Sequence, residues 1–195
     1  FEDVMLIHRT LPEIDLDDVN TETELFGRKL AFPLIISAIT GGTEHAKELN
    51  SILASIAEEM GIGIGVGSQR IAIEDPSVEH TFGIVREKAP SSLVIGNIGC
   101  PQLSLGWGPD EARRCVEMVK ADALAIHKKV GEITGSLDTP VVMKETGCGI
   151  AYEDAIKMEA AGVAGLELSG VGGTSWAAVE HHIAKEEGKG DQQYL

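Results

Sequence analysis

Six short polar stretches hold most of the chemistry that this 195-residue chain could perform. In order they are Ser37-Ala38-Ile39-Thr40-Gly41-Gly42, Gly67-Ser68-Gln69-Arg70, Gly96-Asn97-Ile98-Gly99, His127, Lys144-Glu145, and Ser169-Gly170-Val171-Gly172-Gly173-Thr174. Taken singly, such glycines and hydroxyls serve turns and helix caps. Taken together they place Arg, Lys, His, Asn and Gln at the same point of a repeating unit, which predicts a ligand site. Lys144 closes the apolar run Val141-Val142-Met143, and a lysine directed into an apolar interior is costly unless it meets an anion or a carboxylate. The turn from Ser169 to Thr174 offers backbone N–H groups and hydroxyls that suit a phosphate, or else a plain N-cap at Thr174. His127 is either a core histidine or a reactive one, and its place in the series favours the second. Glu145 points to the other side from Lys144 and reads as ordinary.

The elements that position these stretches are legible from hydrophobic patterning. The runs Leu34–Ala38, Ile62–Val66, Leu93–Ile98, Ala123–Ile126, Val141–Lys144 and Gly165–Leu168 are short, continuous and apolar, as strands covered on both faces are. Between them, Glu44–Met60 carries Ala46, Leu49, Ile52, Leu53, Ile56, Ala57 and Met60 at helical spacing. Pro109–Lys120 and Tyr152–Ala161 read the same way, with Pro76 and Pro109-Asp110 as helix-start signals. Six strand-then-helix units predict a parallel sheet with helices outside. A doubly wound sheet and a (β/α)₈ (TIM) barrel both satisfy the pattern; even repetition without a second subdomain favours the barrel, with about six of its eight units present. In a barrel the C-terminal strand ends carry the active site. Gly61, Gly63, Gly65 and Gly67 alternate on one face of the second strand, which predicts either a bulky occupant or a crowded bend there.

Composition bounds the function. The formal charge is −15 and no basic stripe occurs, which excludes a nucleic-acid partner that relies on clustered Lys and Arg. Hydrophobic content of 43% indicates a folded chain, and 23 glycines indicate many tight turns. Cys100, Cys115 and Cys148 are odd in number and lack C-x-x-C spacing, which argues against a disulfide framework or a zinc site and fits a cytoplasmic setting. No membrane-spanning run is expected.

The strand starts at 34, 62, 93, 123, 141 and 165 are spaced by 28, 31, 30, 18 and 24 residues, so the fourth unit is short. Only thirteen residues separate Ile126 from Pro140, and His127 meets Lys128-Lys129 without turn chemistry. The expectation is a single barrel domain over residues 1–195, with segments missing at the N-terminus, after His127 and at the C-terminus.

His8-Arg9-x-Leu11-Pro12-Glu13, Ala38-x-Thr40-Gly41-Gly42, Gly67-Ser68-Gln69-Arg70, Gly96-Asn97-Ile98-Gly99 and Ser169-Gly-x-Gly-Gly-Thr174-x-Trp176 occur in order across nearly the whole chain. This ordered set resembles the type 2 isopentenyl-diphosphate delta-isomerase family. The resemblance implies a TIM-barrel flavoprotein that interconverts isopentenyl diphosphate and dimethylallyl diphosphate. It further implies reduced FMN as acid and base, Mg²⁺, NADPH as reductant, and a homotetramer or homo-octamer. Carried onto this chain, FMN contacts fall on Ala38, Ile39, Thr40, Ser68, Asn97, Lys144, Ser169 and Thr174. Substrate contacts fall on Ser68, Gln69 and Arg70, with His127 at the reacting centre. Residue chemistry agrees: Lys144 can neutralise charge on a reduced flavin, Arg70 has a fork of donors for a diphosphate, and Asn97 both donates and accepts.

Departures from the family pattern carry equal weight. The family's fourth-strand histidine opens a His-Leu-Asn stretch leading to a substrate-binding glutamine and a metal-binding glutamate, and neither follows His127 here. The seventh and eighth strands and an N-terminal Arg-Lys pair are likewise missing, so the resemblance implies that a polypeptide of this literal sequence is inactive. An FMN-dependent 2-hydroxy-acid oxidase-like barrel is the alternative, although it needs an Arg pair and Arg70 stands alone at the strand ends. A non-catalytic flavin-binding barrel is a third reading.

Overall fold

The structure, a computed structural model, describes residues 5, 7–11, 13–99, 106–126, 130–145, 147, 149–170 and 182. A 3₁₀ turn at Leu16–Asp18 leads into a hairpin, β1 (Thr23–Leu25) and β2 (Arg28–Leu30). The six apolar runs then become β3 (Ile35–Ile36), β4 (Gly63–Gly65), β5 (Val94–Ile98), β6 (Ala123–Ile126), β7 (Val141–Lys144) and β8 (Gly165–Glu167). The helices are α1 (Glu44–Met60), α2 (Arg70–Glu74), α3 (His80–Lys88), α4 (Pro109–Val119), α5 (Val130–Thr134) and α6 (Tyr152–Ala160).

Strands β3 to β8 form one parallel sheet in chain order, each paired with the next. A doubly wound sheet reverses its strand order at a switch point, and no reversal occurs here. The sheet also curls, because Ile35 of β3 and Gly165 of β8 line the same cavity. These are six strands of a (β/α)₈ barrel, as the patterning predicts.

The runs are apolar throughout because both faces are covered. Outward, Ile62, Ile64, Val66 and Val94 meet Ala54 and Ala57 of α1 and Phe82 and Val85 of α3. Further round, Ile98, Leu124, Ile126, Val141 and Met143 pack with Ala112 and Cys115 of α4 and Ile133 of α5. Inward, Ile95, Ala123, Ala125 and Val142 pack with Leu25, Phe26 and Leu30 of the hairpin. Each fully buried Leu, Ile or Phe contributes about 1.5–3 kcal/mol. Helix α1 starts as expected, with Thr43 Oγ1 accepting from the Ala46 N–H at 3.1 Å, and ends at Gly61 in the left-handed region, φ 64°. Pro76 opens a 3₁₀ turn and not α3, which begins at His80.

The β1–β2 hairpin is not anticipated by the patterning. Its two-residue turn, Phe26-Gly27, has both φ values positive, 50° and 76°, as the tightest hairpins require. It covers the N-terminal end of the sheet. Arg28 Nε donates to Asp122 Oδ1 at 2.8 Å, while Asp122 Oδ2 accepts from Arg86 Nη2 at 2.8 Å and from the Val94 N–H at 2.9 Å.

The glycine series around β4 resolves in favour of crowding. Gly61 belongs to the α1 cap and not to the strand. A Cβ on Gly63 would meet Ile35 and Leu93 side chains, one on Gly65 the Ala38 backbone at 3.3 Å, and one on Gly67 the Thr40 carbonyl at 2.7 Å. Close approach of the β3 segment shuts a side chain out at Gly67 and crowds Gly65, while Gly63 is hemmed by Ile35 and Leu93. Among the described residues no helix is long and apolar enough to cross a membrane.

Candidate functional site

At the C-terminal ends of the strands, backbone contact sets the spacing of the first two polar stretches. Gly67 N–H donates to the Thr40 carbonyl at 3.2 Å, which brings the loop after β3 against the end of β4. Two buried side chains that residue typing did not single out hold that loop. Asn50 Nδ2 donates to the Thr40 and Thr81 carbonyls at 3.2 and 3.0 Å, and Thr81 Oγ1 accepts from the Gly42 N–H at 2.9 Å. Asn50 carried a signal, as an amide within the apolar stripe of α1. Within the loop Ala38 and Thr40 are half-buried, while Ile39 is exposed.

Gln69, expected to contact substrate, has its amide committed to the framework. Nε2 donates to the Cys115 carbonyl at 2.8 Å and contacts Met118 Sδ at 3.3 Å, both on α4. Oε1 accepts from the Asn97 N–H at 2.9 Å, and the side chain is fully buried. The reason is local: β4 ends at Gly65, so strand alternation no longer governs where Gln69 points. Ser68 is exposed beside it, and Arg70 is half-buried as the first residue of α2. Burial pushes the Cys115 thiol up to about 12, with the Glu111 charge adding to the rise and the Arg114 charge opposing it, so it is a neutral packing group.

Asn97 lies on the inner face of β5 and is 8% exposed. Its Nδ2 donates to the Val66 carbonyl at 3.2 Å, while its Oδ1 is buried with no hydrogen-bond partner among the described residues. Such an orphaned acceptor is uncommon in a folded protein and points to a missing donor. Asn97 borders a cavity of about 300 Å³ inside the curled sheet. Phe26, Ile35, Ile95 and Val142 make the cavity apolar, Ala38 forms part of its wall, and Glu167 adds a carboxylate.

Lys144 points to this interior and is nearly buried, its side chain 11% exposed. It meets the carboxylate that such a position demands, forming an ion pair with its register partner Glu167 on β8. Nothing in the sequence marks Glu167 as the partner except the strand pairing itself. Glu145, taken as ordinary, is buried and accepts hydrogen bonds from four backbone N–H groups, of Gly147, Gly149, Ser169 and Gly170. Ser169 is exposed at the end of β8. His127 and Thr174 lie outside the described residues.

The structure therefore brings Ala38 and Asn97 onto one cavity, with Lys144 joined to it through Glu167. It sets Gln69 apart, towards α4. The pocket is mainly apolar, with the Asn97 amide and the Glu167 carboxylate at its border. Among the described residues no group of three or more His, Cys, Asp or Glu side chains is placed to hold a metal ion.

Comparison with known proteins gives a sequence likeness and a separate fold likeness. The chain is 42% identical to a protein of Ignicoccus hospitalis over 205 residues, covering 95% of this chain and 57% of that protein. It is 43% identical to one of Methanosarcina barkeri, covering 100% and 59%, and 47% identical to one of Methanothrix thermoacetophila, covering 96% and 57%. All three are named isopentenyl-diphosphate delta-isomerase. The chain thus spans less than two thirds of the length of these relatives. The Methanosarcina alignment runs over 215 positions against 195 residues, so that relative carries residues within the aligned span that have no counterpart here. No family model matches the sequence. Among solved structures, mandelate oxidase with 3,3-difluoro-2-hydroxy-3-phenylpropionic acid superposes with a TM-score of 0.57 at 18% identity, covering 94% of this chain and 62% of that one. Mandelate oxidase with (S)-4-hydroxymandelic acid gives 0.57 at 16%, covering 85% and 58%. At such identity the likeness establishes the barrel fold alone.

Proposed function

We infer that this chain is the larger part of an isomerase that interconverts isopentenyl diphosphate and dimethylallyl diphosphate on a bound, reduced FMN, without net redox change. The observation that carries the reading is Asn97, a residue with a buried, unpartnered Oδ1 at the border of an apolar cavity, in a chain 42–47% identical to proteins named for that isomerisation. The residues present fit the flavin: Ala38, Ile39, Thr40, Ser68, Asn97, Lys144, Ser169 and Thr174 would hold it. When bound and reduced, it supplies the proton donor and acceptor for moving the double bond.

The chain's own residues then have distinct tasks. Asn97 would hold the ring edge at the apolar wall, with its carboxamide oxygen as an acceptor for a ring N–H. Lys144 would place positive charge close to the ring edge, and its pairing with Glu167 keeps the ammonium in place while no other anion is near. Ser68 and Arg70 receive the diphosphate, the guanidinium offering two parallel donors. Gln69 holds the strand end that presents them. His127 is assigned to the reacting centre. Mg²⁺ and NADPH complete the proposal as charge-neutralising ion and reductant, and Mg²⁺ is given no ligand among the described residues.

The test is incubation of the full-length protein that contains this chain with isopentenyl diphosphate and reduced FMN, followed by product NMR and oxygen consumption. Dimethylallyl diphosphate formed without oxygen uptake is expected. Oxygen-consuming turnover of a 2-hydroxy acid, with no isomerisation, would replace the reading by an oxidase. Asn97→Ala and Lys144→Ala should each weaken FMN retention, and Arg70→Ala should chiefly raise KM for the diphosphate.

A further inference from the structure

We propose that Glu145 is a positioning residue that joins the loop after β7 to the turn after β8, so that Lys144 and Ser169 are presented as one rigid unit. The inference rests on the flavin reading above for its functional consequence, though not for the geometry. The two oxygens of the carboxylate are divided between the two segments. Oε2 accepts from the Gly147 N–H at 2.5 Å and the Gly149 N–H at 3.0 Å. Oε1 accepts from the Ser169 N–H and, at 2.5 Å, from the Gly170 N–H. The Glu145 backbone N–H completes the link by donating to the Glu167 carbonyl at 3.1 Å.

Three features make this a clamp and not an incidental contact. Glu145 is 8% exposed, so its charge is largely withdrawn from water and is compensated by these donors. Gly147, Gly149 and Gly170 adopt φ values of 119°, 79° and 61°, a backbone that curls its N–H groups towards one anion and that side chains disfavour. Glu145 also lies between the two residues it serves, following Lys144 directly and bonding to Ser169 across 24 residues. Movement of either segment therefore displaces the other.

Glu145→Gln is the discriminating change. The amide keeps the shape but has a single acceptor oxygen, so whichever way it turns its NH₂ faces two N–H donors and releases one segment. Two readouts on the full chain test the proposal. Amide hydrogen exchange without cofactor should show at least one pair, Gly147 with Gly149 or Ser169 with Gly170, exchanging about tenfold faster. FMN retention, followed by flavin fluorescence on dilution, should fall about tenfold while the melting temperature stays within a few degrees. Unchanged exchange overturns the clamp, and faster exchange with unchanged FMN retention overturns the positioning role. If the variant does not fold, native-state exchange on the unaltered chain decides: the four amides should open as one class, and independent opening refutes the link. A full chain that retains no flavin at all removes the proposed function and with it the positioning role, while exchange still decides the link itself.

Discussion

Gln69 and Asn97 are bonded to each other twice, the Gln69 N–H to the Asn97 carbonyl at 2.9 Å and the Asn97 N–H to Gln69 Oε1 at 2.9 Å. The buried glutamine thereby sets the end of β5, where Asn97 borders the cavity. Gln69→Leu leaves the Asn97 N–H buried without an acceptor, and a loss of about 1–3 kcal/mol is expected in urea denaturation. Wild-type stability in that variant would show that the pairing does not matter.

Gly41 lies against the Phe82 ring so closely that an added Cβ would fall within it. Phe82 is fully buried between α1 and β4, so the ring has no room to yield. Gly41→Ala should destabilise the chain by about 1–3 kcal/mol, as overpacking does. Phe82→Leu should relieve part of the cost when combined with it, which a double-mutant cycle measures.

Cys115 gives the alkaline limb of stability a definite sign. Its thiol is raised from an ordinary value of 9.0 to about 12 by burial, so the unfolded chain loses this proton before the folded chain does. The contribution is fully present below pH 9 and is lost as pH rises towards 12. Stability from urea melts should fall over that window and fall less in Cys115→Ala. Native Cys115 should also resist iodoacetamide at pH 8 and react once the chain is unfolded.

Glu58 acts in the opposite direction. Burial pushes its carboxyl up, but hydrogen bonds from the hydroxyls and backbone N–H groups of Ser91 and Ser92 outweigh that and hold it below the usual carboxylate range. Its contribution is present above the unfolded pKa and is lost as pH falls through the lowered folded value. Glu58→Gln should therefore reduce stability at pH 7 and leave a shallower acid limb, read from melting temperature between pH 3 and 7.

Much of the fold was legible because β3 to β8 are covered on both faces, so each leaves a short apolar run, and because α1 keeps its stripe for seventeen residues. The hairpin was not, since strands of three residues around Phe26-Gly27 are too short to show alternation. At the site, Asn97 and Lys144 were legible as polar groups ending apolar runs. Glu145 escaped because its partners are backbone N–H groups, which every residue but proline has. Gln69 stands beside Ser68 and Arg70 in the sequence, but its amide bonds to α4 and to Asn97, partners that no local pattern reveals. Glu167 needed the register of β7 with β8, which no local pattern contains.

The Arg28–Asp122 contact at the floor of the curled sheet joins residues 94 positions apart. Closing so long a loop is entropically costly and gives no return until β5 and β6 already lie side by side. The hairpin should therefore dock late, after the sheet it seals has assembled. Late docking makes the floor a kinetic latch: Arg28→Ala should hasten unfolding in stopped-flow experiments and leave the folding rate nearly unchanged.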